Sequence, residues 1–552
     1  MMRTLIAALS VVICAAPLAA QQGGRTGTPA AGVASAAARV ARAADTSVMR
    51  AHLEFLADDA LEGRAPGTRG GELAARYIAA QFRRLGLEPA GDSGSYLHRV
   101  PIISLTPEPT LALGGRPLRW KDDYVLWSMR DEPSVELAAP LVFAGYGIVA
   151  PEANWNDYAG LDVKGKIVVL LVNDPGLRDS TLFRGKILTY YGRWTYKLEE
   201  AERQGAAGVL LVHTAESATY GWSTVTGSWT GPQVRVERPA GSLQVAGWLR
   251  DSVAAEVLRP LGTLEELTRK AAARGARGAV LPAQATAAVR STIARSATSN
   301  VVARWSGRGA HRAEAVLIGG HYDHLGVGSP VDGDSIYNGA LDNASGTAAV
   351  LAAAEAFVRS GVRPDRSILF MAFAAEESGL LGSTAYAARP SVPLARIAAV
   401  VNLDVMNLYG PTRDIAALGL DQSTLGRVFG AAAKTEGLRV SENEDALVKG
   451  SFFRSDHFPL ARAGVPAVSL ENGIAYVGRS EGWGEKQQDE YTEKRYHQPA
   501  DEVLPWFDYR GALQQLRVAL RTAVAAADAP AQPTWLPGSE FRAAGQARVR
   551  GR

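Results

Sequence analysis

A chain of 552 residues is too long for one hydrophobic core, so two or more domains are expected. Hydrophobic residues make up 47% and charged residues 21%, the balance of a globular protein rather than a disordered one. With 59 basic and 56 acidic residues the net charge is only +3, which leaves no electrostatic case for nucleic acid or a strongly acidic partner.

Residues 1–20 read as a secretory signal. Arg3 supplies the positive start, and Leu5 to Ala16 form an apolar stretch too short to span a bilayer comfortably. Cleavage is expected near Ala19 or Ala20. No other apolar run reaches spanning length, so the mature protein is expected in the periplasm or outside the cell, with no stable membrane insertion. The single cysteine, Cys14, lies inside the signal. The mature chain then has no disulfide and no thiolate, and any metal must be held by His, Asp and Glu.

Residues 21–45 are Gly-, Ala- and Thr-rich and read as a linker. In residues 46–107, Thr68 is the expected cap of a helix running to about Leu85 and ended by Gly86. Ala74, Tyr77, Ile78, Phe82 and Leu85 fall on one face of it. From 108 to 297 the strands are short and the turns rich in Gly and Pro. GKIVVLLV, TYKLEEAERQG and AAGVLLVH make a βαβ-like piece there, within a β-rich insertion. Trp222 and Trp229 read as packing residues of this insertion, with the lining of a substrate approach as the alternative. From 298 to 526 the pattern becomes strongly α/β. AEAVLIGG, RSILFMAFA, RIAAVVNLD and VPAVSL are buried strands with helices between, a mixed and mostly parallel sheet. Residues 527–552 read as a flexible tail.

Polar residues gather where these strands end. AEAVLIGG delivers His321, SILFMAFA delivers Glu376 and Glu377, and AAVVNL delivers Asp404. Asp342 and His497 join from loops. The C-terminal edge of an α/β sheet is where ligand sites form. Neighbouring residues on an extended segment point to opposite sides, so one glutamate of the pair can bind metal while the other stays free. Alone, that pair would read as an exposed acidic turn.

The motifs GGHYDHLG, GALDNASG, AAEESGLLGS, NLDVMN and YHQPADE, in that order, resemble the M28 family of zinc peptidases, the aminopeptidase and glutamate-carboxypeptidase-like group. LADDALEGRAPGTRGG near the N-terminus also matches. GKIVVL and EAERQGAAGVLLV resemble the protease-associated domain that interrupts secreted metallopeptidases. The resemblance implies a zinc-exopeptidase fold around two Zn²⁺ ions, with Co²⁺ or Mn²⁺ also compatible with the ligands. One ion falls to His321, Asp342 and Asp404, the other to Asp342, Glu377 and His497. Glu376 is implied as general base toward a metal-activated water, Tyr496 as an oxyanion donor, and Asp323 as the acceptor orienting His321.

His324 is expected to line the pocket, and Ser455, Asp456 and His457 to shape the site. Asp501 either supports His497 or caps a turn. The segment from Gly473 to Tyr496 is expected to form a rim or lid. The function implied is a secreted exopeptidase acting on peptides, foremost an aminopeptidase. A carboxypeptidase for acidic C-termini, a glutaminyl cyclase-like acyltransferase and a non-catalytic binding homologue are the alternatives.

Overall fold

The computed structural model describes residues 31–237 and 239–550. The predicted signal lies outside them. Among the described residues no helix is long and apolar enough to cross a membrane.

Two long antiparallel strands, β1 (Leu97–Leu113) and β2 (Ala279–Trp305), pair continuously from Leu97↔Val301 to Leu113↔Ala285. Four parallel strands follow: β3 (Ala315–His321), β4 (Ser367–Phe373), β5 (Ile397–Asn402) and β6 (Ala467–Glu471). Their spatial order is β4-β3-β5-β6, and the end of β2 lies antiparallel beside β4. Every residue of β3, β4 and β5 is buried, which is why these strands read as unbroken apolar runs rather than alternating ones. The mixed, mostly parallel sheet expected from the sequence is therefore present.

Helices cover one face. Among them are α1 (Ala31–Ala43), α2 (Arg69–Arg84), α3 (Ser345–Ser360) and α5 (Arg510–Ala527), with α4 (Trp483–Lys494) lying between α3 and α5 in the chain. Val316, Ile318, Phe370 and Val401 point into this layer. Each fully buried side chain of that kind contributes about 1.5–3 kcal/mol. In α2 the Thr68 hydroxyl accepts the Gly71 N–H at 3.2 Å, and Gly86 leaves the helix at φ 70°. Ala74, Ile78 and Phe82 are buried, as the spacing predicts.

Three expectations are corrected. The linker assigned to 21–45 contains α1, which packs on α3 and α5 with Ala37, Val40 and Ala41 buried. That spacing is a helical stripe, and alanine-rich sequence is strongly helix-forming. The tail assigned to 527–552 is docked. Trp535 and Phe541 are buried, and Arg542–Arg550 is helical. The Arg548 guanidinium donates to the carbonyls of Gly464, Leu394 and Ile397 at 2.9, 2.9 and 2.7 Å. Third, the predicted boundaries at 107/108 and 297/298 fall inside β1 and β2. The β-rich insertion has its own parallel strands, Ile167–Leu171, Gly208–His213 and Val245–Arg250, yet its sheet continues through β2 into the sheet of β3 to β6. Trp229 packs against Trp127, Trp194 and Trp248, as a core residue of the insertion.

Candidate metal centre

Three of the turns that leave the sheet edge converge with two helix-flanking segments. His321 is the last residue of β3, the glutamate pair follows β4, and Asp404 follows β5. Asp342 sits in the turn before α3, and His497 follows α4. Ala375, Val405 and His497 hold φ of 56°, 59° and 57°. Such left-handed conformations cost non-glycine residues roughly 1–3 kcal/mol each and concentrate at functional turns.

Asp342 joins two groups. Its Oδ1 lies 3.3 Å from His321 Nε2, which is also 3.3 Å from Asp404 Oδ1. Its Oδ2 lies 3.4 Å from His497 Nε2, which is 3.1 Å from Glu377 Oε2. Glu376 turns the other way, with Oε2 3.9 Å from His321 Nε2. All five predicted ligands and the free glutamate are thus brought together. His324 comes closer than a pocket wall: Nδ1 is 2.8 Å from Glu377 Oε1, and His324, Asp342 and Glu377 form a second set with ligand-type spacing.

The electrostatics of this cluster call for positive charge. Burial opposes ionisation of His321, yet Asp404, Glu376 and Asp342 outweigh it and raise its pKa well above 6.5. Burial likewise opposes charge on His497, but Asp342 and Glu377 push it up to about 10. Glu376 is held well above the usual carboxylate range by burial, with Asp404, Asp456 and Glu377 adding to the shift. Buried carboxylates at this density need cations. The donor set, imidazole and carboxylate without thiolate, fits zinc held by three protein ligands with positions left open. His324 Nε2 is buried with no hydrogen-bond partner, as expected of an atom that faces an ion.

Neighbouring residues hold this geometry. His321 Nδ1 is 3.2 Å from the main-chain oxygen of Asp323 and 3.8 Å from its carboxylate. The orienting acceptor is therefore the Asp323 carbonyl, a correction to the expected side chain. The carboxylate instead accepts the N–H groups of Glu376 and Glu377 at 3.1 and 3.4 Å. Asp501 accepts from Leu341 N at 3.1 Å and Asp342 N at 3.0 Å, so it fastens the Asp342 turn rather than His497. Ser455 Oγ donates to Asp404 Oδ2 at 2.5 Å. Arg64 is fully buried, and its guanidinium donates to the carbonyls of Leu56, Tyr322, Asn338 and Gly339. It ties the turns after β3 and before Asp342 together. The sequence reading missed this role, although Arg64 lies inside the LADDALEGRAPGTRGG match.

Tyr496 stacks on the His497 ring, centroids 3.8 Å apart. Burial raises its phenol, and the charges of Asp342, Glu377, Glu376 and Asp404 add to the shift, which places the ring beside the cluster. The 473–496 segment contains α4, and Tyr491 of that helix donates to Asp501 Oδ2 at 3.3 Å. The segment thus packs against the support of Asp342, at the margin of the site.

A sheet edge carrying two His–carboxylate groups that share one aspartate is the architecture of a metallopeptidase. Residues 300–518 match the model of peptidase family M28. The chain is 25% identical over 451 residues to aminopeptidase YwaD of Bacillus subtilis, covering 81% of this chain and 77% of that one. It is 28% identical over 208 residues to leupeptin-inactivating enzyme 1 of Streptomyces exfoliatus, covering 37% of this chain and 43% of the relative's length. Among solved structures, the aminopeptidase from Aneurinibacillus sp. strain AM-1 matches 90% of this chain and 97% of its own, at 21% identity and a TM-score of 0.44.

Proposed function

We propose that this chain is an exported di-zinc aminopeptidase. The observation that carries the reading is Asp342, which offers one oxygen to the His321–Asp404 group and the other to the His497–Glu377 group. His321, Asp342 and Asp404 would hold one ion, and Asp342, Glu377 and His497 the other. Bound zinc would supply Lewis-acid polarisation of the scissile carbonyl and lower the pKa of the attacking water. Glu376 takes the proton from that water and delivers it to the leaving amine. Its Oε2 lies 3.9 Å from His321 Nε2, beside the proposed ligands and in position for both transfers. Tyr496 contributes a hydroxyl toward the developing oxyanion. The N-terminal residues are proposed to direct export, and the 108–297 insertion to be protease-associated-like.

The aminopeptidase named among the relatives supports a preference for free N-termini. The test pairs metal analysis with hydrolysis of aminoacyl anilides and of peptides blocked at either end. Two zinc ions per chain, activity lost on chelation and restored by zinc, and no cleavage of N-blocked peptides are expected. Full activity in the metal-free protein would sink the proposal. Cleavage that requires a free C-terminus would convert it to a carboxypeptidase.

A further inference from the structure

His497 is the least framed of the proposed ligands. It ends no strand, its backbone holds φ 57°, and the turn that carries it follows α4 directly. Such a turn keeps one shape only where its surroundings dictate it. Arg495 ties that turn together. Its N–H and the N–H of Tyr496 both donate to the Tyr491 carbonyl, at 2.9 and 2.8 Å, and its own carbonyl accepts the Gln498 N–H at 2.9 Å. His497 therefore lies inside a turn closed on Arg495.

The Arg495 guanidinium lies over three ring faces. It is 5.7 Å from the centroid of Tyr409, 5.3 Å from that of Tyr491 and 5.2 Å from that of Trp506. Nη2 donates to the Tyr409 hydroxyl. Nη1 is sealed from solvent, and among the described residues no carboxylate pairs with the group. Ring faces hold a cation without adding negative charge to a site already dense in carboxylates, and the attraction grows as the cation is desolvated. The walls come from segments that support the other ligands. Tyr409 lies on the loop that begins at Asp404, where its N–H also donates to Asn407 Oδ1 at 3.0 Å. The Tyr491 hydroxyl donates to Asp501, which fastens the Asp342 turn. Trp506 packs on Tyr409 with centroids 5.3 Å apart.

We propose that Arg495 is a positioning residue for the metal group of Asp342, Glu377 and His497. Its cage of Tyr409, Tyr491 and Trp506 sets the Tyr496–His497 turn against the segments that carry Asp404 and Asp342. This rests on the di-zinc reading. The ion assigned to His321, Asp342 and Asp404 has no ligand on this turn, and Tyr409 keeps its bond to Asn407 when Arg495 is changed. Arg495 therefore acts on one ion and not on both.

The test uses Arg495→Met, which keeps the stem and removes the charge, and Trp506→Leu, which removes one wall and leaves Arg495 in place. Trp506 is 51% exposed, so W506L folds even if R495M does not. In chelator competition on the zinc-loaded proteins, one ion should be held as in wild type. The other should be held about tenfold or more weakly in R495M and about threefold or more weakly in W506L. Independently of metal, amide exchange of the zinc-free proteins reads the turn itself. The Tyr496 and Gln498 amides should exchange about tenfold faster in R495M and measurably faster in W506L, with Leu341 and Asp342 unchanged. A residue that merely stabilises the fold would weaken both ions together or speed exchange at both turns. Equal weakening of both ions, zinc binding unchanged in both variants, or unchanged exchange at Tyr496 and Gln498 each overturn the assignment. If wild type holds fewer than two zinc ions, the di-zinc reading fails, and the exchange result alone decides whether Arg495 holds the turn.

Discussion

Asp501 Oδ2 accepts the main-chain N–H of Asp342 at 3.0 Å, so one buried carboxylate fixes the backbone that presents another. Leu341 N bonds both oxygens of Asp501. Asp501→Asn replaces one acceptor with a donor aimed at those N–H groups. The Asp342 turn should loosen, and zinc affinity should fall about 10–100-fold, as for other residues that orient ligands. Competition with a chelator measures this, and unchanged affinity would count against the role.

Arg64 serves four carbonyls from three separate segments. Arg64→Met keeps much of the volume but leaves those carbonyls unpaired. A loss of about 3 kcal/mol or more is expected in urea unfolding.

Glu376→Gln keeps shape but cannot carry the proton. It should retain its zinc while kcat falls about 10²–10⁴-fold. Near-normal turnover in this variant would reject Glu376 as the base.

His497 and His324 flank opposite oxygens of Glu377, at 3.1 and 2.8 Å. If His497 is the ligand and His324 orients Glu377, His497→Ala should lose one zinc per chain outright. His324→Gln should keep both ions with affinity weakened about 10–100-fold. The reverse pattern would exchange the two roles.

His52 is buried far along the chain from the site residues, with Nδ1 2.9 Å from the Tyr77 hydroxyl. Burial lowers its pKa from 6.5 to about 4. Between those values the unfolded chain holds a proton that the native chain does not. Stability should therefore fall as pH drops through that window, by up to about 1.4 kcal/mol per pH unit, and level off below it. His52→Gln should remove this share of the slope in melting curves taken from pH 4 to 7.

The cluster was legible in the sequence because its residues each terminate an apolar strand or fall in a short motif, and those motifs keep a fixed order. What held the ligands was less visible. Arg64 acts on carbonyls as far away as Gly339, which are contacts without a side-chain signature. Ser455 lay in a stretch expected only to shape the site, and its bond to Asp404 depends on how two loops meet. The helix Ala31–Ala43 was hidden by its composition, since alanine-rich sequence beside a signal looks like spacer until Val40 finds a core. The tail was misread for a similar reason. Arginine and proline dominate it, while two aromatic anchors decide its fate.

The strand Ala279–Trp305 has one more consequence. It is edge to the catalytic sheet at one end and backbone of the insertion at the other, hydrogen-bonded along both. Modules joined by linkers can swing, but modules sewn into one sheet have no hinge to swing on. The insertion and the strands that carry the site residues are therefore held in one continuous frame.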